Sequence, residues 1–138
     1  MRRLALTAAL LLGLAACGDA TEDPGTGIFT DQITFGSGLD TVNFALTGEA
    51  TTFSIGTGAT LYFRLESSVN FAGRFVRLYF SDANPQDFPK CASADANVCM
   101  SAFAATSPGT FDVKGYLVDT SVNPARETLV ASKTITLN

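Results

Sequence analysis

From Ile28 to the C-terminus the chain alternates apolar and polar residues with a period of two, and no segment longer than a turn or two carries a period of 3.6. A period of two sends successive side chains to opposite faces of a strand, so one face can be buried while the other stays wet. Leu61, Phe63 and Leu65 share one face, with Tyr62, Arg64 and Glu66 on the other. Val76, Leu78 and Phe80 oppose Phe75, Arg77 and Tyr79, and Phe111, Val113 and Leu117 oppose Asp112, Lys114 and Tyr116. Val42, Phe44 and Leu46 form a further apolar row, as do Phe53 and Ile55, and the last segment turns Ile135 and Leu137 inward. Lys133 has the same parity as those two, which predicts a bulge or an edge position there.

The pattern predicts eight strands: Ile28–Phe35, Thr41–Thr47, Thr51–Ile55, Thr60–Glu66, Phe75–Ser81, Val98–Ala105, Thr110–Asp119 and Leu129–Leu137. Turn signals separate them, among them Gly36-Ser37-Gly38, Thr47-Gly48, Gly56-Thr57-Gly58, Ala72-Gly73, Asn84-Pro85, Ser107-Pro108-Gly109 and Asn123-Pro124. Short, evenly punctuated strands point to an all-β chain, an antiparallel β-sandwich of seven or eight strands, immunoglobulin-like or jelly-roll-like. Only Pro89–Asn97 leaves room for a helix, and a short one. Ser81–Cys99 is the longest irregular stretch, and long ordered loops on a rigid scaffold often carry function.

The N-terminus is built differently. Arg2 and Arg3 precede an apolar run from Leu4 to Leu14, broken by Thr7 and Gly13 and followed by Ala15, Ala16 and Cys17. This is the layout of a secretory signal. A run of about eleven residues is well short of the roughly 20 that cross a bilayer as a helix. The run Leu14-Ala15-Ala16-Cys17 resembles the lipobox of bacterial lipoproteins. The resemblance implies cleavage before Cys17, diacylglycerol on its sulfur, and residence outside the cytoplasm. Stable anchoring takes at least two acyl chains, since one holds only marginally. In that family an Asp directly after the cysteine can retain the product in the inner membrane; here Gly18 stands there and Asp19 one later, so the resemblance implies the outer membrane in a two-membrane host. The chain then divides into a signal peptide (1–16), a lipidated cysteine with a flexible tether (17–27) and a β-sandwich domain (28–138).

Removing a 16-residue leader from the 138-residue chain leaves 122 residues, enough for one domain with a real core. The leader carries two of the nine cations and none of the thirteen acids, so the remainder has a net charge of −6. That argues against nucleic acid as a partner and against a polybasic membrane-binding face. With Cys17 assigned to the anchor, Cys91 and Cys99 remain in a compartment that permits oxidation, and they are expected to pair. Closing so short a loop contributes roughly 2.6 kcal/mol in the chain-entropy model.

Two β-sandwich families resemble parts of the domain. Gly109-Thr110-Phe111-Asp112-Val113 and the two closing strands are similar to the last hairpin of bacterial immunoglobulin-like domains, with Phe111 where many carry a tyrosine. Thr52–Leu61 is similar to bacterial pre-peptidase C-terminal domains, which place an aromatic strand before a glycine turn. Neither resemblance implies a catalytic site.

The chain contains no histidine, which excludes Ser-His-Asp and Cys-His nucleophilic arrangements. It also has no nucleophile elbow, P-loop or dinucleotide fingerprint. No catalytic residue, metal site or cofactor is expected. Asp82, Asn84 and Asp87, with Asp95 and Asn97, have hard oxygen ligands, but they lack the spacing and glycine of a calcium loop and read as turn formers.

One pattern remains. Tyr62, Tyr79 and Tyr116 all fall on outward faces, each two residues from a cation: Arg64, Arg77 and Lys114. On a shared sheet they would form a tyrosine–cation surface able to stack sugars or hold a partner; otherwise they are ordinary solvent-face cross-strand pairs. The expectation is a lipid-anchored, non-enzymatic binding or structural module of the cell envelope. Its partners would be the membrane, through lipid on Cys17, and envelope proteins or glycans. The alternatives are a carbohydrate-binding module using the tyrosines, and an accessory subunit of a secreted enzyme or transport complex.

Overall fold

The computed structural model describes residues 29–81, 83–93 and 95–138. Residues 1–28, which hold the expected signal peptide, Cys17 and the expected tether, lie outside the described residues, as do Asp82 and Ala94. The described chain contains nine strands: β1 Gln32–Asp40, β2 Ala45–Glu49, β3 Thr52–Phe53, β4 Ala59–Glu66, β5 Arg74–Phe80, β6 Gln86–Phe88, β7 Val98–Ala105, β8 Gly109–Asp119 and β9 Arg126–Leu137. They form two layers, a four-stranded sheet in the order β2-β1-β4-β7 and a five-stranded sheet in the order β3-β9-β8-β5-β6. The protein is an all-β sandwich. All strand pairs are antiparallel except β3 and β9, which run parallel.

That parallel pair arises where the chain changes layers. Leaving β2, it bonds Ala50 N–H to the Phe35 carbonyl at 3.1 Å, then presents the Thr51 carbonyl to Thr136 N–H at 2.7 Å. Asn138 N–H to the Phe53 carbonyl (2.9 Å) and Ile55 N–H to the Asn138 carbonyl (2.8 Å) complete the junction. Phe53 and Ile55 are thereby buried.

The inner faces carry the alternation seen in the sequence. Phe35, Phe63 and Leu65 face Val76, Leu78, Val113, Leu117 and Ile135, all almost wholly buried. Each such side chain contributes about 1.5–3 kcal/mol by leaving water. Phe63 meets Phe88 edge-on with ring centroids 4.8 Å apart, and Phe103 lies between Phe35 and Phe80 at 6.0 and 5.1 Å.

Several local expectations are corrected. Gly36-Ser37-Gly38 is not a turn: β1 runs straight through it to Asp40. The glycines serve close approach, because a Cβ on Gly36 would sit 2.6 Å from the Thr47 carbonyl oxygen. The reversal comes at residues 41–44, where the Asp40 carboxylate accepts Val42 N–H (2.8 Å), Asn43 N–H (3.1 Å) and the Asn43 side-chain amide (2.7 Å). Val42 and Phe44 are therefore exposed rather than in the core, and Leu46 alone of that row is buried. No helix forms within Pro89–Asn97 among its described residues. The irregular stretch instead contains β6, which sends Phe88 inward.

Lys133 stands where the outer edge of β9 has no partner, since β3 reaches only Thr136 and Leu137. The bulge falls three residues earlier: Gly115 pairs with Ala131 and Tyr116 with Leu129, leaving Val130 unopposed. The disulfide is formed between Cys91 and Cys99. It ties the β6–β7 connection to the buried start of β7, where Ala92 N–H also bonds the Met100 carbonyl at 2.9 Å.

Gly115 is a point of close approach between the layers. A Cβ there would lie 2.8 Å from Leu65 Cδ1 and 3.5 Å from Ile33 Cδ1. Both partners are buried, so neither can swing into solvent. Gly115→Val is expected to destabilise the domain by about 1–3 kcal/mol through overpacking, and Gly115→Ala by less, measured as the shift in urea midpoint.

Candidate binding surface

The residues singled out for binding divide between the two layers. Tyr62 and Arg64 stand on the outer face of β4 in the four-stranded sheet. Arg77 and Tyr79 on β5, and Lys114 and Tyr116 on β8, share the outer face of the five-stranded sheet. The condition for one tyrosine–cation surface fails for the first pair, because β4 and β5 lie in different layers.

The second group is brought together by register. Arg77 stands opposite Tyr116, and Tyr79 opposite Lys114. The rings of Tyr79 and Tyr116 meet edge-on at 5.3 Å. Arg77 is at the centre of a cross-strand ladder. It grips Asp87 of β6 with both Nε and Nη2, the latter 2.8 Å from Oδ2. Across β8 its Nη1 bonds Glu127 of β9. Tyr79 donates its hydroxyl to the same Glu127 carboxylate at 3.0 Å. The guanidinium also lies over the Phe75 ring, 5.6 Å from its centre.

This geometry shifts the titration of its members. The two-pronged bond from Arg77 holds the Asp87 carboxyl below its ordinary range, against the opposing effect of burial. The same bond raises the Arg77 guanidinium well above its ordinary value. Burial, with the hydrogen bond to Glu127, raises the Tyr79 phenol. Arg77 is engaged on both sides by its own sheet, so it acts as an internal clamp across β6, β5 and β9 rather than a free cation for a ligand. Arg64 is likewise engaged, with Glu66. Lys114 makes only a loose contact with Asp112, 3.8 Å away.

Glu127 and Asp87, the residues that organise the ladder, were not visible as partners of Arg77 in the sequence. Glu127 lies outside the predicted last strand, which begins three residues earlier than its alternation suggests. Asp87 reads as a turn former until β6 is seen to pair Asp87 with Arg77.

A second polar cluster gathers where the chain enters the sandwich. Glu66 is buried, which by itself would raise its pKa. It accepts hydrogen bonds from Thr30 N–H (2.9 Å), Gln32 Nε2 (3.1 Å) and Arg64, and the net effect is a lowered value. Asp31 accepts Ser68 N–H at 2.7 Å and is lowered by it. A cleft of about 160 Å³ opens beside these groups, lined by Asp31, Arg74, Asp119, Arg126 and the aliphatic Val69 and Leu129. Arg74 faces Asp119 at 3.6 Å across it.

Comparison with family models, curated proteins and solved structures finds no match to the chain.

The clamp predicts an acid response. Asp87 has a folded pKa below its unfolded value of about 3.9. Its contribution is present above that pH and is lost as the pH falls through the lower folded value. Asp87→Asn is expected to cost about 1 kcal/mol or less at pH 7, as a partly exposed pair should. The difference from the parent should begin to shrink as the pH falls below about 4 and keep shrinking as it falls through the lower folded value, read from urea midpoints at pH 7 and along an acid series.

Proposed function

We propose that the chain is a lipid-anchored, non-enzymatic binding or structural module of the bacterial cell envelope. The observation that carries this reading is the run Leu14-Ala15-Ala16-Cys17 closing a short apolar segment behind Arg2 and Arg3. Lipid on that sulfur and a ten-residue polar tether would hold the domain at a membrane surface. The disulfide between Cys91 and Cys99 agrees with an oxidising compartment.

The topology supports an immunoglobulin-like rather than a jelly-roll-like body. β8 lies between β5 and β9 in one layer, and β4 lies between β1 and β7 in the other. Taken as A, B, C, E, F and G, the strands β1, β4, β5, β7, β8 and β9 follow the immunoglobulin order. Such sandwiches serve widely as recognition scaffolds, and the site rather than the fold decides the function.

Sugar stacking by tyrosines would rest on Tyr79 and Tyr116 alone, with Tyr62 on the opposite layer. A glycan array tests that use; loss of any signal in a Tyr79→Ser, Tyr116→Ser variant would support it.

Lipidation is tested by feeding labelled palmitate to cells expressing the parent or Cys17→Ser. The expected outcome is label in the parent, none in the variant, and movement of the variant from the membrane to the soluble fraction. Absence of label from the parent overturns the proposal.

A further inference from the structure

The four-stranded sheet ends in β7, and we propose that the free half of this strand is a docking edge for an extended, uncharged segment of a partner protein. Three observations carry the proposal, and none depends on the chemistry at Cys17.

The first is hydrogen-bonding capacity. Met100 offers its carbonyl outward to Ala92 N–H, so the main-chain groups of Met100, Ala102 and Ala104 point away from β4. The disulfide-tied connection covers Met100. Beyond it, the N–H and C=O of Ala102 and Ala104 have no backbone partner among the described residues. Both alanines are exposed.

The second is the contrast with the other edges. Natural sheets block unwanted pairing with charges, bulges, inward-pointing lysines or very short strands. β9 carries a bulge at Val130, Lys133 on its inward parity, and Arg126 and Glu127. β6 is three residues long and carries Asp87, and β2 is five residues long and carries Glu49. β7 has eight residues, an unbroken register with β4, and no charge or proline. On an acidic domain, this is an edge that a neutral strand can approach without repulsion.

The third is an adjoining open pocket of about 230 Å³, mostly apolar with Asn84, Gln86, Thr106 and Ser107 on its lining, between β7 and the β5–β6 side of the other layer. Phe80, Phe103, Phe111 and Leu137 line it, and its described lining holds no charged residue. It is smaller than the roughly 300–1,000 Å³ typical of small-molecule sites, yet suited to one large side chain. Strand addition uses this combination: main-chain bonds supply affinity, and pockets for alternate side chains supply specificity. A second copy fits less well. Its own β7 offers alanines outward and keeps Phe103 in its own core, leaving nothing large to fill the cavity.

The test uses the full-length chain in detergent micelles and a series of blocked hexapeptides of threonine and valine, with one phenylalanine moved through all six positions. At least one register is expected to bind, seen by fluorescence anisotropy, and to slow amide exchange at Ala102 and Ala104 by about tenfold or more. Replacing its phenylalanine by aspartate, or N-methylating its pairing edge, should weaken binding by at least about tenfold. Ala102→Pro should do the same while leaving the urea midpoint near that of the parent, because that N–H donates to no neighbour. If Ala102→Pro fails to fold, the N-methylated peptide supplies the same comparison. The proposal is overturned if no register protects these amides, if protection appears on β9 or β6 instead, or if N-methylation changes nothing. Sedimentation showing a β7-paired dimer without peptide would overturn it too.

Discussion

Everything in this domain depends on two amphipathic sheets hiding their inner faces from water against each other. Neither layer can stand alone: half of each strand's side chains would be apolar and wet. The contact is tight at Gly115, where the missing side chain lets Leu65 and Ile33 of the facing layer pack against the β8 backbone. From that contact outward, Phe63, Leu78, Val113 and Ile135 fill the space between layers, and Phe88 closes one side through the three-residue β6. Close-packed interiors of this kind respond to single methyl groups, which is why a glycine can be a core residue.

The outer faces follow from that packing. Once β5, β6, β8 and β9 are aligned by their inner residues, Arg77 has carboxylates within reach on both sides, and the outer surface becomes a network tying four strands together. The tyrosines are used in the same way: Tyr79 and Tyr116 meet edge-on and Tyr79 bonds Glu127. A surface of this kind is rigid and largely self-satisfied. Among the open edges of the described residues, the outer half of β7 is the one with neither charge nor bulge, and the aromatic cavity lies beside it.

Much of the sandwich was readable beforehand because alternation is a direct record of which face is buried. β4, β5, β7 and β8 lie within a residue of their expected bounds for this reason. The start of the fold was misread at Gly36-Ser37-Gly38, since glycine marks either a turn or a close approach and the two look alike in one dimension. Asp40 settled it by accepting three donors from Val42 and Asn43. β6 was missed because three residues cannot display a period. The parallel β3–β9 pair was missed because it depends on where the chain crosses between layers.

What the sequence by itself determined is the alternation, and with it the all-β class, the core residues of the long strands and the outward placement of the tyrosines. These are local properties, set by side-chain order along a strand. Tertiary structure alone decided which strands are neighbours, and therefore that Tyr62 and Arg64 are parted from Tyr79 and Tyr116, that Arg77 finds Asp87 and Glu127, and that β7 keeps an open edge. Strand order is a long-range choice, made by how two twisted sheets bury one another, and nothing in the spacing of residues along a single strand records it.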